Sequence, residues 1–162
     1  MTQRKLRPGD VALSFDPAET AEDGAVIFIG RIRSAWKTKD DCPRNLTEAR
    51  ERGQTATIEI DEVWRDGLKG LQDVSHIIAL YWMGEARRDL IVQAPRHKPE
   101  PTGVFALRSP ARPNPIALAT VRILDIDPAQ GRITIDAIDC RDGTPILDIK
   151  PWIESIDAVA AQ

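Results

Sequence analysis

Residues 55–63 set threonine and isoleucine in alternation with Glu59 and Asp61, the two-residue period of a half-buried strand. The same kind of reading predicts strands at residues 25–33, 77–82, 90–93, 104–107, 118–126, 132–138 and 146–150. Residues 77–82 are continuously apolar, which predicts a strand buried on both faces. Pro128-Ala-Gln-Gly131, between two apolar runs, predicts a hairpin turn. Gly67 and Gly70 predict a turn or short helical turn at residues 64–73. Helical character is confined to residues 46–52, with Thr47 as the expected cap.

Many strands joined by tight turns predict an all-β fold. Its expected form is a single-sheet closed or strongly bent antiparallel β-barrel with one or two short helices. No Gly-x-Gly-x-x-Gly follows a strand, which argues against a dinucleotide-binding α/β fold. The expected organisation is a flexible N-terminal extension at 1–22, the barrel at 23–153 and a tail at 154–162. With 42% hydrophobic and 29% charged residues the chain has the make-up of a globular domain. No apolar run is long enough to span a membrane, and the polar start has no signal-peptide core, so a cytoplasmic location without membrane partners is expected. Cys42 and Cys140 are isolated and expected to be reduced, and His76 and His97 lie too far apart in sequence to suggest a metal centre.

Charge is uneven along the chain. Residues 87–122 carry seven Lys or Arg against two acids, whereas residues 123–162 carry eight acids against three bases. A basic zone on a chain of net charge −3 predicts either an anionic partner at one face or a solvated charged surface. Inside that zone lies Gly103-Val-Phe-Ala-Leu-Arg-Ser-Pro-Ala-Arg-Pro-Asn-Pro115. Its prolines at 110, 113 and 115 fix φ at about −65° and push their predecessors toward extended geometry. A loop stiffened in this way presents Arg108, Ser109, Arg112 and Asn114 at defined positions. Guanidinium and amide groups so held suit a phosphate, a carboxylate or a base edge, and the alternative is a solvated connection.

Other residues are weighed in the same way. Ser75 and His76 are adjacent and, on a strand, face opposite sides, which argues against a Ser-His nucleophile pair. Asp148 and Lys150 share a strand face and are expected to form an ion pair. Trp64, Trp82 and Trp152 are expected in a core or interface, whereas Trp36 is the tryptophan expected near the barrel mouth as a base-stacking residue.

The loop resembles the signature of the TsaA-like domain family, whose TrmO-type members methylate N6 of threonylcarbamoyladenosine in tRNA with S-adenosylmethionine. Leu71-Gln-Asp-Val-Ser-His-Ile-Ile-Ala-Leu80 and Asp139-Cys-Arg-Asp-Gly-Thr-Pro-Ile-Leu-Asp-Ile-Lys-Pro-Trp152 are similar to two further family segments. Ile29-Gly-Arg-Ile-Arg-Ser34 resembles the opening strand, with Ala35 where the family has proline, and Pro43-Arg44-Asn45 resembles Pro-Arg-Gln. The resemblance covers roughly residues 26–152 and implies a dimerising barrel. It also implies a small-molecule methyl donor, S-adenosyl-L-methionine, and tRNA as substrate.

Donor contacts implied by the resemblance fall on Pro43, Arg44, Asn45, Gly84, Glu85, Arg108, Leu118, Ile138, Asp139, Cys140, Arg141 and Asp142. Asp139 or Asp142 can accept from ribose hydroxyls, and Arg108 either pairs with the donor carboxylate or orders its loop. Gly84-Glu85 stand where the family has His-Gln, so Glu85 either serves the cation or the proton transfer or is a surface residue. The candidate catalytic residues are Glu85 and Asp139. Besides tRNA methylation, two readings stand: methylation of a small molecule or other acceptor, and a non-catalytic RNA-binding barrel.

Overall fold

A computed structural model describes residues 5–20 and 24–158. Nine strands follow in order: β1 (Val11–Ala12), β2 (Gly30–Arg33), β3 (Ala56–Ile60), β4 (His76–Trp82), β5 (Leu90–Gln93), β6 (Thr102–Gly103), β7 (Ile116–Asp127), β8 (Arg132–Ile135) and β9 (Thr144–Pro151). Three short α-helices accompany them: α1 (Pro17–Thr20), α2 (Leu46–Glu51) and α3 (Glu154–Asp157). The chain divides into two units, Met1–Val26 with Trp82–Ala117, and Ile27–Tyr81 with Leu118–Gln162.

The second unit is built on the closed antiparallel barrel β2-β3-β8-β7-β4-β9, which β9 completes by pairing with β2. Alternation of side chains sets its core. Ile32 on β2 sits opposite Ile58 on β3, which sits opposite Ile133 on β8, and all three are fully buried. Each such isoleucine contributes roughly 1.5–3 kcal/mol by leaving water. A one-residue slip would turn this row outward, so the register is firmly specified. The barrel expected from the sequence is therefore present.

Several elements differ in detail from the sequence expectation. β2 begins at Gly30, and Val26, Ile27 and Phe28 before it lie outside the strand and are exposed. β4 alternates buried and half-buried positions, so one face of its apolar run is not fully covered. β8 stops at Ile135, because Asp136 takes its amide to the Arg122 carbonyl while its carboxylate accepts from the Arg122 amide at 2.8 Å. The 128–131 hairpin is as expected. Gly131 has φ +68°, and a Cβ there would lie 2.5 Å from the Ile60 carbonyl oxygen. Helix α2 is capped by Asn45, whose side chain accepts from the Glu48 amide at 2.9 Å, and not by Thr47. The extended backbone of Asn45 (φ −163°) gives it cap geometry, and the helix has already begun at Leu46.

The other unit holds the three-stranded sheet β1-β5-β6. Leu90 and Val104 are buried in it, together with the amide side chain of Gln93. Residues 104–107 are not the expected strand: Val104–Ala106 form a 3-10 turn, with the Leu107 amide donating to the Val104 carbonyl. Of the expected loose ends, residues 1–4, 21, 22 and 159–162 lie outside the described residues, while the described part of 1–22 contains β1 and α1.

Candidate functional site

In the barrel unit the 138–142 turn is tied down by side chains from residues 34–37. Trp36 Nε1 donates to the Ile138 carbonyl at 2.8 Å, and Ser34 Oγ donates to the Cys140 carbonyl at 3.0 Å. The Asp142 amide returns a bond to the Trp36 carbonyl at 2.7 Å. Asp142 Oδ1 accepts from the Ser34 amide and Oδ2 from Lys37 Nζ, at 3.1 and 2.9 Å. The Lys37 hydrogen bond is the main influence holding the Asp142 carboxyl below its usual range, with the Ser34 amide adding to it and burial opposing. Asp142 is thus committed to the turn itself.

Asp139 has a different environment. Its Oδ1 accepts from the hydroxyl of Tyr81, on β4, at 2.7 Å. Its Oδ2 receives no donor among the described residues. Tyr81 is buried, so its hydroxyl fixes the carboxylate from within the barrel and leaves the second oxygen for a ligand. A carboxylate oriented in this way matches the hydroxyl donors of a ribose, and by that chemistry the residues present fit a nucleoside cofactor.

Pro43 is buried, whereas Arg44 and Asn45 are exposed at the start of α2. Burial raises the Cys42 thiol, and Asp139 is the next influence, so this segment and the 138–142 turn lie close enough to sense each other's charge. Cys140 is buried and its thiol is pushed far up, mainly by desolvation, which keeps it protonated. Arg44 pairs with Glu48, and Asn45 spends its side chain on the helix cap. Leu118, on β7, is 42% exposed. Pro43 and Ile138, Asp139, Cys140, Arg141 and Asp142 are therefore gathered in one unit.

Gly84, Glu85 and Arg108 belong to the other unit. Gly84 and Glu85 occupy an exposed turn closed by the Ala86 amide on the Met83 carbonyl at 2.9 Å. A Cβ at Gly84 would lie 2.8 Å from Trp82 Nε1, so a larger residue here would have to displace the indole. Arg108 is exposed on the proline loop. Its loop companions are less available than their residue types implied. Ser109 Oγ donates to Gln93 Oε1 at 3.0 Å, and Gln93 Nε2 donates to the Ala111 carbonyl at 2.6 Å. Arg88 donates to the Pro113 carbonyl and to Asn114 Oδ1, at 2.6 and 3.1 Å, while lying over the Trp82 ring. Arg112 donates to the carbonyls of Leu107 and Val104. Ser109, Arg112 and Asn114 are struts of the loop.

Trp36 corrects a further expectation. It is 8% exposed, with Arg52 over its ring at 5.2 Å, so its face is already covered. Ser75 and His76 also differ from the opposite-faces reading. Ser75 precedes β4, escapes strand geometry, and places Oγ 2.9 Å from His76 Nδ1. His76 is half-buried at the start of β4 with its ring edge-on to Trp152 at 6.2 Å, and no carboxylate joins the pair among the described contacts. Asp148 and Lys150 form the expected ion pair at 2.9 Å. Sequence reading missed Tyr81, Ser34, Lys37, Arg88 and Gln93. Tyr81 was the findable one, as the chain's single tyrosine set in a run of strand aliphatics.

The fold is a closed six-stranded antiparallel barrel, outside the doubly wound cofactor folds, with the Asp139 carboxylate on one turn fixed by Tyr81. The family model of the tRNA-methyltransferase O N-terminal domain matches residues 31–158, and the chain belongs to that family. It is 39% identical over 151 residues to the "Probable S-adenosyl-L-methionine-binding protein VirR" of Rhizobium radiobacter, covering 93% of this chain and 82% of that protein. It is 40% identical over 131 residues to an S-adenosyl-L-methionine-binding protein of Archaeoglobus fulgidus, covering 81% of this chain and 91% of that one. The crystal structure of TrmO from Pseudomonas aeruginosa superposes with a TM-score of 0.68 at 35% identity, covering 87% of this chain. The present chain spans 61% of that TrmO chain.

Proposed function

We propose that this protein is an S-adenosylmethionine-dependent methyltransferase that methylates N6 of threonylcarbamoyladenosine next to the tRNA anticodon. The observation that carries the reading is Asp139, oriented by Tyr81 in a turn that Trp36 and Ser34 hold still. Family membership and the names of the relatives support the donor.

When bound, the sulfonium donor supplies an already activated methyl group, so the protein's work is positioning and exclusion of water. Asp139 Oδ2 would accept from the ribose hydroxyls, with Tyr81 keeping that carboxylate aimed. Residues 138–142 and Pro43 would hold the adenine end. Asp142 contributes indirectly, through Lys37 and Ser34, by fixing the turn. The acceptor nitrogen lies between a purine and a carbonyl, so its proton is more acidic than that of a plain amine and a weak base suffices to remove it. Glu85 and Arg108 are assigned by family resemblance. Glu85→Gln and Arg108→Ala are expected to weaken donor binding or turnover, and a variant unchanged in both leaves the site.

Incubation with labelled donor and tRNA bearing the modification tests the function, with label in that nucleoside as the expected result. Donor binding without label in tRNA favours a second reading, methylation of a small molecule or other acceptor. Gly84-Glu85 in place of His-Gln supports that alternative. RNA binding with steep salt dependence and no donor affinity would favour the non-catalytic reading. The assembly proposed with this function is a homodimer, and a monomeric mass by light scattering at micromolar concentration overturns it.

A further inference from the structure

Arg52 closes helix α2 and makes more contacts than the end of a helix requires. Its amide donates to the Glu48 carbonyl at 3.0 Å, which completes the last turn. Its guanidinium goes further. Nη1 donates to the Asp41 carbonyl at 2.7 Å, Nη2 pairs with Glu48 Oε1, and the central carbon sits over the Trp36 ring at 5.2 Å. Each contact leads to one side of the donor site. Glu48 Oε2 accepts from the Arg44 amide at 3.1 Å, so the bonds to Asp41 and Glu48 together fix residues 41–45. Trp36 spends Nε1 on the Ile138 carbonyl and its own carbonyl on the Asp142 amide, so the ring contact bears on the 138–142 turn. The two sides are near each other, since Asp139 bears on the Cys42 thiol.

We propose that Arg52 is a positioning residue for S-adenosylmethionine, setting the gap between residues 41–45 and the 138–142 turn. It acts through Asp41, Glu48 and Trp36 rather than by contact with the donor. The inference rests on the reading that the donor lies between those two segments. Walls already held at the bound spacing cost less to order, so Arg52 contributes affinity through pre-organisation. The planar fork suits the task, with two in-plane donors for separate oxygens and a flat face for an indole. A lysine ammonium keeps the charge without that reach. Charge alone would work the other way. The donor is a net cation at neutral pH, and a nearby cation disfavours it. Weaker binding after removal of Arg52 therefore reports lost position and not lost attraction.

Arg50, on the same helix, is the matched control. It pairs with Asp136 and donates to the Thr120 carbonyl, both at 2.9 Å, so it ties α2 to the barrel by other groups. Arg52→Gln, Arg52→Lys and Arg50→Gln are compared in the full chain by calorimetry with S-adenosylmethionine and by thermal unfolding. The rate of Cys42 alkylation by iodoacetamide reads the gap without the donor, because Cys42 is partly exposed and Cys140 is buried. Both Arg52 variants are expected to weaken donor binding on the order of tenfold, with Arg50→Gln within about twofold of wild type. Both are expected to speed Cys42 alkylation severalfold, and Arg50→Gln to leave it unchanged. Melting of Arg52→Gln and Arg50→Gln is expected to be similar, since each loses an ion pair and a bond to a carbonyl. Donor affinity of Arg52→Gln within about twofold of wild type would overturn the role. So would unchanged alkylation, or wild-type binding by Arg52→Lys, which would leave charge as the cause. Equal loss of affinity in Arg50→Gln, or melting of both Arg52 variants far below it, would make Arg52 a prop of the helix and overturn the role as well. Absence of donor binding by the wild type rejects the donor reading and takes this role with it. Wild-type binding that is indifferent to Arg52 rejects the role alone.

Discussion

Tyr81 makes the most of a single hydroxyl. Its ring belongs to the barrel core, and its oxygen reaches Asp139. Tyr81→Phe keeps the ring and deletes the bond, so urea denaturation is expected to give a loss of about 1 kcal/mol. Calorimetry should give weaker donor binding, because Asp139 is then free to turn. Lys37 acts on Asp142 differently, through charge. The folded-state carboxyl is held low, so its contribution is present above the ordinary aspartate value of 3.8 and is lost as pH falls through the lowered folded value. Lys37→Met is therefore expected to melt below the wild type at neutral pH. Melting curves at decreasing pH should show that gap closing as Asp142 protonates.

Turns and strand ends decide the elements. Gly131→Ala places a methyl against the Ile60 carbonyl in a backbone region that favours glycine. Thermal unfolding of this variant is expected to show destabilisation by more than about 1 kcal/mol. The barrel strands were legible because their alternation reports one buried face, as on β3 with Ala56, Ile58 and Ile60. What local pattern could not convey was competition for backbone groups. Residues 104–107 carry strand-like side chains, yet Arg112, eight positions after Val104, takes the carbonyls and favours a 3-10 turn. Asn45 and Thr47 are both good caps by type, and only the backbone at 45 decides between them. At the site, the acidic turn was legible as a motif. The Tyr81 contact was not, because it joins residues 58 positions apart.

On the scale of the whole molecule, protection should be graded. Ile32, Ile58, Ile133 and Ile135 are fully buried on adjoining barrel strands, whereas β1 and β6 are two residues long. Hydrogen exchange is expected to be slowest at amides of β2, β3 and β8, and faster by orders of magnitude in β1 and β6. Equal rates in the two sets would mean that the short sheet opens only with the barrel. The closure of the barrel has a consequence for biosynthesis. β2 finds one neighbour, β3, soon after it is translated, but its other neighbour, β9, is the last made of the described strands. No partial product can seal the cylinder, so on the ribosome β2 waits with an open edge until residues 144–151 emerge. A nascent chain stalled before that point should therefore engage chaperones and yield to protease, while one released beyond it should not.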